Sequence, residues 1–238
     1  TVTGHVVVAS GVTLTIEPGV TVKFDSGKVM EVEGTLIAQG TSGNKITFTS
    51  SAASPAAGDW GYIQFKGSSA NATFDNDGAY QAGSILEYVI VEYGGGIGTV
   101  TENGAVWAYG ASPFINYSTF RYNKSWGLYF EADDVFKVTN NTFHHNSVQD
   151  NSGWDGAITF RNCSNCSVID TSEGSEIHVS GNTITNNGGN NAIRYLVRKS
   201  GVTTYITNNV ITGHGISSYG SYALRVFINA IGDSDYVI

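Results

Sequence analysis

The chain has 238 residues, with 12 lysines and arginines against 20 aspartates and glutamates, for a formal net charge of −8. So few cations exclude a protein that tracks a phosphate backbone, and no apolar run approaches the ~20 residues of a membrane-spanning helix. Charged residues make up only 13% of the chain, glycine is abundant (30) and proline scarce (3), a balance that suits many tight turns.

Apolar residues alternate from the start: Val12, Leu14 and Ile16, then Val20, Val22 and Phe24 after a break at Pro18-Gly19. The alternation resumes at Met30 and Val32, at Leu36 and Ala38, and at Ile46 and Phe48. Period two in such short runs means strands that bury one face. The breaks between them are too short for a crossover helix, so the strands close a core only by coiling, each turn stacked on the last. A small-residue loop follows near 50–58, then the strand Tyr62–Phe65, then a polar insertion near 67–83. From Leu86 a nine-residue unit recurs: Leu86–Gly94, Ile115–Asn123, Val138–Asn146, Val179–Asn187 and Ile206–His214, its starts 29, 23, 41 and 27 residues apart. A coil of ~20–30 residues with loop insertions accounts for that spread. The largest insertion is placed near 147–176.

In register, the first position of the unit reads Leu86, Ile115, Val138, Val179, Ile206, and the sixth Val91, Phe120, Phe143, Ile184, Ile211. Both are expected to stack inward. The fourth reads Val89, Ser118, Asn141, Asn182, Asn209, an expected internal asparagine ladder. A second strand follows each unit, with Ile63, Val106, Leu128, Ile158, Ile193 and Leu224 as its inward column.

The run Gly11–Phe24, with Glu33–Thr41, Lys45–Ser50 and Gly58–Phe65, resembles the opening coils of right-handed parallel β-helix repeat proteins of prokaryotic cell surfaces, within the pectate-lyase-like superfamily. The likeness is close over about the first 65 residues and looser beyond. It implies an all-β, right-handed parallel β-helix forming one domain over 1–238, and an exported protein, extracellular or at the cell surface. The same fold serves pectate lyases, polygalacturonases and phage tailspikes, so it does not settle the chemistry.

Alternation places Trp107, Tyr109, Tyr129, Glu131, Arg161, Arg194 and Arg225 on the outer side of the second strand, in one stripe across coils ~4.8 Å apart. Aromatic faces flanked by guanidinium groups suit an extracellular glycan, while cross-strand packing of an exposed sheet explains the same residues. Asp133-Asp134 with Gly213-His214-Gly215 resembles polygalacturonase motifs, but the spacing exceeds one coil, so no catalytic residue is assigned. Asp150 and Asp155 near Arg161 form no identifiable calcium cluster. His144-His145 is a weak metal signal, and no metal or cofactor is expected. Cys163 and Cys166 read as a loop-stapling disulfide. Asn-x-Ser/Thr sequons begin at Asn71, Asn116, Asn123, Asn140, Asn162 and Asn165.

The sequence thus supports a non-catalytic structural or adhesive module, with a polysaccharide lyase or glycoside hydrolase and a glycan-binding module as alternatives. Strand pattern at both termini leads to the expectation of end-to-end stacking with itself or with further domains of the same polypeptide.

Overall fold

The computed structural model describes residues 1–97, 104–131, 135–147, 156–161, 176–197, 203–213, 222–228 and 236–237, with backbone alone at 161, 197, 227, 228, 236 and 237. Among the described residues every regular element is a strand, and the strands form a parallel β-helix.

Three parallel sheets run along it. The first, eight-stranded, stacks Val6–Val8, Met30–Val32, Ile63–Phe65, Gly104–Tyr109, Trp126–Glu131, Gly156–Arg161, Asn191–Val197 and Tyr222–Ile228. The second, also eight-stranded, stacks Thr13–Ile16, Thr35–Gln39, Ile85–Glu87, Phe114–Asn116, Phe136–Thr139, Glu176–Ser180, Thr203–Thr207 and Tyr236–Val237. The third, seven-stranded, stacks Thr21–Phe24, Ile46–Ser50, Val89–Glu92, Thr119–Arg121, Thr142–His144, Thr183–Thr185 and Val210–Thr212. The strand Gly156–Arg161 lies within the stretch 147–176, so that stretch is not a single loop.

The core follows from the sequence columns. Leu86, Ile115, Val138, Val179 and Ile206 pair in register along the second sheet. Val91, Phe120, Phe143, Ile184 and Ile211 do so along the third, with the Phe120 and Phe143 rings stacked at 4.8 Å. The first-sheet column from Ile63 to Leu224 is likewise continuous. Each coil therefore covers the apolar surface of its neighbour. In the first coil the equivalent Val6, Leu14 and Val22 are only half-buried, whereas their partners Met30, Leu36 and Phe48 are buried.

Asparagines satisfy the turns. Asn182 Oδ1 accepts from the backbone N–H of Asn141 at 2.9 Å and from Asn141 Nδ2 at 3.1 Å. Its own Nδ2 donates to Val138 O at 3.0 Å and to Asn209 Oδ1 at 2.9 Å. All four hydrogen-bonding positions of the amide are filled in the buried interior. A second ladder, beyond the one expected, links Gly94, Asn123, Asn146 and Asn187 in the same way at the far end of the third sheet.

The insertion near 67–83 is not simply polar. Thr73–Phe74 pairs antiparallel with Tyr80–Ala82, and Ala72, Phe74 and Tyr80 pack on Ile37, Ile85 and Phe114 of the second sheet's outer face. Lys137 Nζ lies 4.0 Å from the Phe74 ring centroid and donates to Gly78 O at 3.1 Å. Because Leu86 and Ile115 point inward, alternation turns Ile85 and Phe114 outward, and the hairpin covers them.

Candidate functional site

The outer side of the first sheet holds the expected stripe in register: Trp107 beside Tyr129, Tyr109 beside Glu131, Glu131 beside Arg161, and Arg194 beside Arg225. It is not an open aromatic platform. Tyr129 is 2% exposed and Glu131 6% exposed. Trp107 is half-buried and meets Tyr62, Tyr109 and Tyr129 edge to face at 5.9, 6.4 and 6.4 Å. The rings pack on one another as cross-strand neighbours, which corrects the expectation that Tyr129 and Glu131 present themselves outward. Tyr109 (40% exposed) remains available. Arg194 and Arg225 are half-buried, the latter 4.9 Å from the Tyr222 ring.

The sequons divide similarly. Asn123 is fully buried and is a rung of the second ladder, with Nδ2 donating to Val91 O and Asn146 Oδ1. Asn116 is buried, donates to Glu87 and accepts from Thr139 and Asn140. Neither amide has room for a glycan, a second correction. Asn71 is half-buried and accepts from the Ser112 backbone N–H; Asn140 is exposed. Cys163, Cys166, Asn162, Asn165, Asp133, Asp134, Asp150, Asp155 and His214 lie outside the described residues. Among the described residues no group of three or more His, Cys, Asp or Glu is placed to hold a metal ion.

The third sheet carries a more open constellation. Its outer face has one column with Thr119, Thr142 and Thr183, and another with Glu92, Arg121, His144 and Thr185. Arg121 Nε donates to Glu92 Oε2 at 2.7 Å, while Thr49 Oγ1 donates to the other carboxylate oxygen at 2.9 Å. His144 and His145 share a hydrogen bond between their Nδ1 atoms at 3.0 Å. Burial, then the neighbouring His145 and Arg121, hold the His144 imidazole below its usual range. Burial and the Glu92 carboxylate push the Tyr93 phenol up, so it stays a neutral donor.

Two aromatic columns border this face. At its entry turn Tyr88 and Tyr117 stack at 5.0 Å with planes 7° apart. At its exit turn Tyr93 and Tyr122 stack at 5.8 Å and 13°, and His145 continues the column 5.3 Å from Tyr122. The strand between the two columns spans about 15 Å. All four tyrosines are in the left-handed region, with φ of 48°, 47°, 62° and 54° in the order given. A bulky side chain there costs roughly 1–2 kcal/mol. Later coils fill the entry turn with Asn140, Gly181 and Asn208, and the exit turn with His145, then Asn186 and Gly213; asparagine and glycine take that backbone easily. Sequence reasoning drew only His144-His145 from this face. The signal for the rest was present as tyrosine at the third and eighth positions of the first two repeat units.

A family model described as a pectate-lyase like beta helix domain matches residues 1–124, just over half of the chain. No curated protein and no solved structure matches it.

Proposed function

We propose, on the premise that this chain belongs to the family of pectate-lyase-like β-helix domains, that it is a non-catalytic structural or adhesive module acting outside the cell or at its surface. The observation that carries this reading is the pair of asparagine ladders running from coil to coil beside continuous apolar stacks. Side chains are committed along the whole axis to holding one coil on the next, as a spacer or surface rod requires. The low charge of the chain and its glycan-compatible outer faces fit an extracellular setting. End-to-end stacking belongs to the same proposal, supported by the half-buried Val6, Leu14 and Val22 of the first coil.

The second reading is polysaccharide processing or binding, favoured by the exposed Tyr109 beside the first-sheet stripe. Incubation with polygalacturonate and with neutral polysaccharides separates the two, with new reducing ends and unsaturated-uronate absorbance as readouts. The module is expected to release neither. Sustained release of either product overturns the non-catalytic reading.

A further inference from the structure

The repeats supply their own control for the four tyrosines at the turns of the third sheet. Apart from His145, the later coils place Asn or Gly at the same two turn positions, where the left-handed backbone is relaxed. Tyrosine is therefore not needed to make the turn, and as a bulky residue it is an outlier there. Strain retained in excess of what the fold requires points toward a contact. The rings are also accessible: Tyr117 is 46% and Tyr122 37% exposed.

We infer that the third-sheet face between these two tyrosine columns is a binding site for an extended, neutral glycan. Its floor runs from Ile90 and Glu92 to Thr119 and Arg121 between the walls, and continues beyond them as the hydroxyls of Thr142 and Thr183, donors and acceptors at once. Tyr117 ends the entry-side stack, so that wall drops to the low turns at Asn140 and Gly181, while His145 continues the exit-side column past Tyr122. A pyranose set on that step lays its C–H groups against the Tyr117 ring and its hydroxyls on Thr142 and His144. The charge of the floor decides between classes of glycan. Among the described residues Arg121 is the cation on the strands between the tyrosine columns, and Glu92 neutralises it; exposed Lys23 of the same outer column lies two coils away from Glu92. A polyuronate thus gains little here, and a neutral chain avoids desolvating an unmatched charge. The site lies on a different sheet from the Trp107–Arg225 stripe.

This inference deepens the adhesive reading by naming its ligand class, and its test has a separate readout from product release. The full chain is run in native gels containing a neutral β-glucan, a galactomannan or polygalacturonate, beside the fourfold variant Tyr88→Asn, Tyr93→Asn, Tyr117→Asn, Tyr122→Asn. These substitutions leave net charge unchanged and install a residue the same turns already carry, so the variant is expected to melt at or above the temperature of the parent. At least one neutral polysaccharide is expected to retard the parent, with apparent affinity falling tenfold or more in the variant. Retardation by polygalacturonate alone, or by none of the three, overturns the proposal. So does retardation that survives the fourfold change and disappears with Tyr109→Asn, which moves the contact to the first sheet. A lower melting temperature in the variant shows that the rings serve the fold. Loss of self-association without any glycan effect shows that they serve a protein interface.

Discussion

At the scale of single residues, the same residue type carries opposite meanings according to its column. Asn146 accepts from the backbone N–H and Nδ2 of Asn123 and donates to Phe120 O and Asn187 Oδ1, all within the core. Asn146→Ala therefore strands several buried polar groups at once. A loss of about 3 kcal/mol or more is expected by urea unfolding, since each unsatisfied group costs roughly 1–3 kcal/mol. Phe143, fully buried and stacked on Phe120, is expected to lose roughly 3–5 kcal/mol on truncation to alanine. His144 provides the pH signature. Its folded pKa lies below the usual 6.5, so between these two values the unfolded chain binds more protons than the folded one. Stability from this group is complete above about pH 6.5 and falls as pH drops toward the folded value. Replacing His144 with threonine, the residue paired to it at Thr185, is expected to flatten the melting temperature between pH 7 and 5; an unchanged slope assigns the dependence to other groups.

At the scale of elements, the inward columns and the first ladder were legible because each is a repeated residue type at a fixed position of the unit. The second ladder was half-legible: its column is plain in the sequence, but a terminal Asn reads equally well as a turn residue. The hairpin over the second sheet was not legible. Phe74 and Tyr80 are separated by Asp75, Asn76, Asp77, Gly78 and Ala79, and so short an apolar contribution is lost among polar neighbours. Its partners Ile85 and Phe114 look like core residues until alternation against Leu86 and Ile115 turns them outward. The exposure of the first-sheet stripe was misjudged at Tyr129 and Glu131 for a different reason. Alternation gives the side of a sheet on which a residue lies, but not whether neighbours cover it, and Tyr129 is covered. If the hairpin is a packed cover, Phe74→Ser is expected to increase proteolytic cleavage within 67–83 while leaving the far-ultraviolet spectrum unchanged. Cleavage at the parental rate contradicts that role.

At the scale of the molecule, stability is close to one-dimensional, because each coil touches only its neighbours. Circular dichroism is expected to show strand without helix. Sedimentation across a range of concentrations tests stacking: a mass that rises with concentration and reverts on Leu14→Asp supports it, and a constant monomer mass contradicts it. The ladders add a property that the sheets alone lack. In both, the amide nitrogen of each rung donates to the amide oxygen of the next coil, always toward the C-terminal end. The side-chain dipoles are therefore aligned like arrows in a quiver, and each polarises the next. A coil presented upside down would set nitrogen against nitrogen at the C-terminal side of a ladder, or oxygen against oxygen at its N-terminal side, and complete no bond. The rod thus has an electrical sense of direction as well as a chemical one, and whatever is built upon it, whether by gene duplication or by docking, inherits a single permitted heading.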